Sequence, residues 1–303
     1  MKSSLMVTGG AGFIGVNFVY HWVANHPDDR LVVLDALTYA GNRKSLHPLE
    51  CDEKIVFVHG NICDASLVER VLAEYAIDTI VHFAAESHVD RSIATPDAFI
   101  RTNLEGTHTL LASARAIWLK GSGCDHRFHH ISTDEVFGSL AADDPPFIET
   151  SRYNPNSPYS ATKAGSDHLV RAYEQTYGLQ VTVSNCSNNY GPFQFPEKLI
   201  PLCLTQILYG GNLPVYGDGT NIRDWLFVKD HARAIETVLK EGRPGKTYNI
   251  GGCNEWANLD IVRPASDSSR TPCFGLRTSM GWQQLYTPYC RRVRPWRQQC
   301  PRG

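Results

Sequence analysis

No run of the chain approaches the roughly 18 consecutive apolar residues that a membrane-crossing helix needs, so the pattern predicts no transmembrane span. The opening residues, MKSSLMVTGGAGF, lack a long apolar stretch followed by a small-residue cleavage site, which argues against a secretory signal peptide. The nine cysteines are an odd number, form no CxxC pair and have no His ligands close in sequence. They suit neither a zinc site nor a disulfide frame, so reduced thiols in a cytoplasm are expected, and no metal. A formal net charge of −2 gives no reason to expect a nucleic-acid partner. Internal repeats and low-complexity tracts are also missing.

What is present is enough apolar material for a sizeable core: 303 residues, 42% hydrophobic and 20% charged. The first 190 residues alternate short apolar or β-branched runs with longer helical patterns. Residues 5–8, 31–35, 55–60, 79–85, 127–132 and 180–186 read as strands, and 13–25, 65–75, 98–118 and 159–177 as helices. The strands are continuously apolar, as in a sheet covered on both faces. Strand–helix alternation of this kind predicts an α/β fold, a doubly wound parallel sheet of Rossmann type. After residue 190 Gly, Pro and aromatic residues interrupt the pattern, which suits a smaller lobe. The expected boundaries are 1–190 for a dinucleotide-binding domain with the catalytic residues, 191–262 for a substrate-binding lobe, and 263–303 for a tail of different character.

VTGGAGFIG follows the first strand and opens the first helix. Gly9, Gly12 and Gly15 keep the turn tight and let backbone N–H groups approach a pyrophosphate at the helix N-terminus, where Phe13 and Ile14 begin the helix. Asp35 ends the second strand twenty residues after Gly15. An acid there accepts hydrogen bonds from a ribose diol and repels a 2′-phosphate, so NAD is expected rather than NADP.

Tyr159 and Lys163 form YxxxK in SPYSATKAG. Ser157 suits a helix cap and Pro158 the first helical position, so the pair falls on one face of the first turns. An ammonium beside a phenol favours phenolate, and the expectation is a general base usable near neutrality. Before this helix, HISTDEVFG places Asp134 and Glu135 directly after Thr133 at a strand end. Two neighbouring carboxyls in one pocket tend to split their pKa values, one ionised and one protonated.

Together these features resemble the extended short-chain dehydrogenase/reductase family, over residues 1 to about 262. The TDE triplet, AAESHVDRS (84–92), CSNNYGPFQFPEKLIP (186–201) and GDGTNIRDWLFVKDHARA (217–234) are similar to the nucleotide-sugar 4,6-dehydratases within it. Phe137 stands where that family usually has Tyr, and Asn61 where it usually has Asp near the adenine. The resemblance implies oxidation of a glucosyl C4 assisted by Tyr159 and Thr133, with Glu135 as base at C5 and Asp134 as acid at C6. It implies NAD contacts at Asn61, Ile62, Ala84, Ala85, Ser87, Tyr159 and Lys163. It further implies nucleotide-sugar contacts at Asn188, Lys198, Leu199, Arg223 and Asn258, with Tyr216 stacked on the base and His88 near the sugar. For Arg223 a salt bridge to Asp224 or Asp218 is the competing expectation. The helices at 98–118 and 159–177 are the pair through which the family forms homodimers. The sugar nucleotide implied is dTDP-glucose, with UDP-glucose left open; a 4-epimerase on the same scaffold has no use for the two acids.

The tail departs from that family. Residues 263–303 hold eight Arg, no Lys, one acid and three of the nine cysteines, at 273, 290 and 300. Pro264 is expected to end early the helix that Asn258 suits as a cap. The family's Asp-Arg-x-Gly-His-Asp segment is missing from this tail. An incomplete nucleotide-sugar lobe follows as an expectation, and with it a second reading: a protein that binds NAD without turnover.

Overall fold

The computed structural model describes residues 3–266 apart from 123–124, 142–143, 210, 214 and 216. The expectations about the tail beyond 266, and the one for Tyr216, lie outside the described residues. The chain runs β1 (Ser4–Thr8), α1 (Phe13–Asn25), β2 (Arg30–Asp35), α2 (His47–Cys51), β3 (Val56–His59), α3 (Ala65–Glu74), β4 (Thr79–His82), α4 (Val89–Ala94), α5 (Pro96–Phe99), α6 (Thr107–Ala114), β5 (Arg127–Thr133), α7 (Pro158–Tyr177) and β6 (Val181–Cys186). It continues through β7 (Asn188–Tyr190), α8 (Leu199–Tyr209), β8 (Ile222–Phe227), α9 (Val228–Glu241), β9 (Thr247–Ile250), β10 (Glu255–Ala257) and α10 (Asn258–Ser266).

Two compact units result. Among the described residues, the first holds those up to Cys186 and Ala232–Ile250; the second holds Ser187–His231 and Gly251 to Ser266. In the first, seven strands pair in the order β3-β2-β1-β4-β5-β6-β9. Every pair is parallel, the doubly wound sheet that strand–helix alternation predicts. The apolar runs are buried because both faces are covered: β1 and β6 are buried throughout, and β5 from its second residue. One core cluster joins Met6, Val32, Leu34, Ile80 and Phe128 of the strands to Val68, Leu72, Leu110, Leu111 and Val170 of the helices. Gly106 lets the helical layer approach β3's end closely, since a Cβ there would lie 2.5 Å from Ile62 Cδ1.

Three local features differ from the sequence expectations. The helix expected at 98–118 spans 96–122, with wider π-helical turns at Ile100–Gly106 and Arg115–Ser122 on either side of α6. The helix α9 and strand β9 went unread. The signal for α9 was present, since buried Val228, Ala232, Ile235 and Val238 recur every three to four residues. Finally, α10 runs through Pro264 to Ser266. Proline removes one donor and crowds one carbonyl, and the helix continues for two residues past it.

The second unit has its own three-stranded sheet, in the order β10-β8-β7. Tyr190, Ile200, Trp225, Phe227 and Ile261 form its core. The loop between β9 and β10 is pinned by Asp224, whose two oxygens accept from the N–H groups of Gly252 and Asn254 at 2.7 Å each.

Candidate active site

The strand order reverses between β1 and β4, and ligands of doubly wound sheets bind at such a reversal. The loops leaving those two strands touch. Gly9 has φ +70°, and a Cβ on it would lie 2.6 Å from the Ala84 backbone nitrogen. A Cβ on Gly15 would lie 2.3 Å from the Gly9 carbonyl oxygen. Gly12 precedes α1 without a side-chain cap, and the first turn carries no acid. A helix N-terminus left in this state has partial positive charge and free N–H groups to offer a phosphate. The residues present therefore fit a dinucleotide pyrophosphate.

The other cofactor positions surround this turn. Asp35 is buried, and both its oxygens are engaged: Oδ2 accepts from Ala11 N–H at 2.9 Å and Oδ1 from Leu37 N–H at 2.8 Å. Burial pushes its carboxyl above the usual range, against those two backbone donors and the nearby His59. Asn61 is exposed and accepts from Cys63 N–H, while Ile62 is buried in the core. In the segment after β4, Ala84 and Ala85 are half-buried, and Ser87 is exposed. His88 immediately precedes α4.

The acid pair sits on a short 3-10 turn, Asp134–Phe137, at the C-terminal end of β5. Thr133 caps it: Glu135 N–H donates to Thr133 Oγ1 at 3.3 Å, and that hydroxyl lies 3.3 Å from Asp134 Oδ1. Asn185 Nδ2 donates to the Thr133 carbonyl from β6 at 3.0 Å, which fixes the strand end. Phe137 stacks on Phe147 and meets Tyr153 edge-on, so its ring anchors the turn. Gly138 closes the turn with φ +95°, and a Cβ there would lie 2.5 Å from the Asn154 carbonyl. A local clash thus admits only glycine. Both carboxyls are half-buried.

The helix carrying Tyr159 and Lys163 starts as its sequence predicts. Ser157 and Ser160 form a reciprocal capping box, Pro158 takes the first position, and Gly178 ends the helix in the left-handed conformation. Tyr159 is buried with its ring edge-on to Phe99. Burial raises its pKa well above the usual phenol value, the charges of Glu135, Cys186 and Asp134 add to this, and a hydrogen bond with Thr133 opposes it. The acid pair and Thr133 therefore act on the Tyr159 phenol.

The Lys163 ammonium has its hydrogen-bond partners on β5: Nζ donates to the Ile131 carbonyl at 2.8 Å and lies 3.3 Å from His130 Nε2. Equal spacing on a helix puts two residues on one face, but the side-chain direction is decided by the partners across the interface. Burial also brings Lys163 itself down to about 8, against Asp167 and Cys186.

Sequence reading missed the polar groups under this lysine. His130 and Asp167 are fully buried and 3.2 Å apart. Asp167 Oδ2 accepts from Ser132 Oγ and from Tyr153 Oη, both at 2.9 Å. His82 bridges Thr8 and Thr107 at 2.7 and 3.0 Å, and burial keeps it neutral. A signal existed in RFHHIS, where two histidines interrupt an apolar strand.

The residues implied for the nucleotide sugar lie on the second unit. Asn188 opens β7 opposite Trp225, Lys198 directly precedes α8, and Leu199 is that helix's first residue. Arg223 on β8 is exposed, and its Nη1 donates to the Ile222 carbonyl. The competing salt bridge is not formed among the described residues: Asp224 holds two backbone N–H groups and Asp218 holds Thr220. Asn258 begins α10, yet its buried Oδ1 accepts no hydrogen bond from the described chain, so it does not cap the helix.

Comparison with known proteins agrees with this geometry. Residues 6–273 match the family model described as GDP-mannose 4,6 dehydratase. A dTDP-glucose 4,6-dehydratase of Escherichia coli strain K12 is 54% identical, with 87% of this chain and 76% of the relative covered. One from Neisseria meningitidis serogroup B is 55% identical, covering 86% and 74%. Among solved structures, a dTDP-glucose 4,6-dehydratase of Streptomyces venezuelae with NAD bound superposes with TM-score 0.85 at 44% identity, covering 96% of this chain and 98% of that one. A UDP-glucuronic acid 4-epimerase of Bacillus cereus superposes with TM-score 0.80 at 26% identity, covering 88% and 83%.

Proposed function

We propose, from the premise that this chain belongs to the GDP-mannose 4,6 dehydratase family, that it is an NAD-dependent hydro-lyase converting dTDP-glucose to dTDP-4-keto-6-deoxyglucose. The observation that carries this reading is the convergence of Asp134, Glu135 and Thr133 on the Tyr159 phenol. Oxidation and reduction alone need only the tyrosine and its hydroxyl partner. Two additional carboxyls are needed when water must also leave.

The residues divide the chemistry as follows. NAD held at the glycine turn and Asp35 would supply the hydride acceptor for C4 and the hydride donor for C6, so that it ends as it began. Tyr159 takes the C4 hydroxyl proton, and Thr133 holds the same oxygen. The resulting ketone acidifies the C5 proton, which Glu135 removes. Asp134 gives a proton to the C6 hydroxyl as it leaves. Glu135 then returns its proton to C5. The glycine turn at Gly9, Gly12 and Gly15 would hold the pyrophosphate, and Asp35 the adenosine ribose. On the second unit, Asn188, Lys198, Leu199, Arg223 and Asn258 would hold the nucleotide of the substrate, the Arg fork suiting a diphosphate. The identity to dTDP-glucose dehydratases favours dTDP over UDP.

A homodimer through the helices at 96–122 and α7 is part of this reading. It is supported by the exposed Ile100 and Leu119 on the first and Tyr177 on the second. A cytoplasmic setting is part of this reading, supported by Cys51, Cys63, Cys203 and Cys253, which are free thiols among the described residues.

The test is to incubate the purified chain with NAD and dTDP-glucose in deuterated water. The expected product has lost one water, carries a C4 ketone and holds deuterium at C5. UDP-glucose should react more slowly. Absence of any product, or a sugar epimerised at C4 without loss of water, would sink the reading.

A further inference from the structure

We propose that Arg91 and Tyr39 form a strap that retains NAD from one turnover to the next: the Arg91 guanidinium stacks on the Tyr39 ring and joins the two segments that flank the glycine turn. This rests on the reading that NAD binds at that turn and ends each cycle as it began.

The topology places the strap. In the sheet β1 lies between β2 and β4, so the exits of β2 and β4 stand on either side of the glycine turn at the exit of β1. Tyr39 belongs to the segment after β2, and Arg91 belongs to α4, which follows the segment after β4. The Arg91 guanidinium carbon lies 3.8 Å from the centroid of the Tyr39 ring. This contact therefore crosses from one side of the turn to the other. A dinucleotide bound at such a turn lies across the same strand exits, and a link between the flanking segments hinders its departure.

Both ends of the strap are anchored. On the Tyr39 side, Leu37 N–H donates to Asp35 at 2.8 Å and Asn42 N–H donates to the Ala11 carbonyl at 2.9 Å. Leu37 has φ +50°, a left-handed conformation that leucine adopts only where its surroundings hold it. On the Arg91 side, Glu86 exchanges two backbone hydrogen bonds with the buried Asn103 side chain, at 2.9 and 3.0 Å. The buried Ser92 hydroxyl donates to the Val89 carbonyl and steadies the start of α4. Between these anchors Arg91 is exposed and Tyr39 half-buried, so the link lies at the surface, where it opens without disturbing the core.

The partners of Arg91 point the same way. Arg43, which lies over Phe57, also pairs with Glu50 at 3.0 Å. The Arg91 side chain makes no ion pair or hydrogen bond among the described residues, and the Tyr39 ring face is what holds it. A cation is attracted to a ring face by the ring's quadrupole, so the contact depends on the guanidinium and the ring together and not on the tyrosine hydroxyl.

The test loads the full chain with radiolabelled NAD, adds excess unlabelled NAD and follows loss of label by rapid filtration. Arg91→Gln and Tyr39→Leu should each release NAD about fivefold faster than wild type, and the double variant should be no faster than the faster single. Tyr39→Phe keeps the ring and should release NAD close to the wild-type rate. Single effects that multiply in the double variant, or Tyr39→Phe as fast as Tyr39→Leu, would overturn the proposal. So would release unchanged in both single variants with a lower melting temperature in the absence of NAD, which would assign the pair to the fold alone. Failure of wild type to turn over dTDP-glucose, with this pattern of release intact, counts against the functional reading and leaves the strap in place; wild type that holds no NAD sinks both.

Discussion

Ala11 donates its backbone N–H to Asp35 Oδ2 at 2.9 Å, so the acid at the end of β2 holds the glycine turn at the end of β1. The second oxygen accepts from Leu37 N–H. Each carboxylate oxygen has a further lone pair. The residue that would read the ribose thus also sets the loop that would meet the pyrophosphate.

Asp35→Ala should damage both. Two backbone donors lose their acceptor at a cost of about 1–3 kcal/mol if they stay buried. Calorimetry should show NAD binding weakened about tenfold or more, with discrimination against NADP reduced. Wild-type protein that binds NADP as well as NAD would show that Asp35 does not set the preference.

Glu135→Gln should separate oxidation from water loss. Tyr159, Lys163 and Thr133 remain, so mixing this variant with dTDP-glucose should build up enzyme-bound NADH, visible by absorbance. Tyr159→Phe should show no build-up. NADH appearing rapidly in the Tyr159 variant, or full product from the Glu135 variant, would reverse the two roles.

Two glycines make a controlled pair. Gly15→Ala places a methyl 2.3 Å from the Gly9 carbonyl, which must displace the turn. The expected cost is about 1–3 kcal/mol, with NAD binding lost. Gly178→Ala has nothing within 4 Å and strains only the positive φ that ends α7, for about 1 kcal/mol, and NAD affinity should hold. Equal NAD binding by both variants would refute the cradle.

Glu236 on α9 accepts from His21 Nε2 at 2.5 Å, His26 Nε2 at 2.8 Å and Lys240 Nζ at 2.6 Å. Burial pushes its carboxyl up, yet these donors outweigh it and hold the pKa down at about 2 instead of 4.5. A lowered carboxyl pKa contributes stability that is present above 4.5 and lost as pH falls toward 2. Glu236→Gln should therefore melt below wild type at pH 7, with the gap closing between those two values. A gap independent of pH would mean the interaction is not ionic.

Local chemistry was legible from the chain alone. Ser157, Pro158 and Gly178 bound α7 through short-range sterics and hydrogen bonds. The glycines after β1 need no distant partner to be recognised, and the continuous apolar runs required a sheet covered on both faces. Thr133, Asp134 and Glu135 are neighbours in sequence and so remain neighbours in space. Three matters depended on packing across elements. Strand β9 is four half-buried residues with no strong pattern, and it exists because β6 offers it a parallel edge. Lys163 shares a helix face with Tyr159, yet its ammonium follows the carbonyl that β5 presents. His130 and Asp167 acquire a role only when α7 lies over β5, because a buried charge is tolerable only where folding brings its partners from elsewhere in the chain.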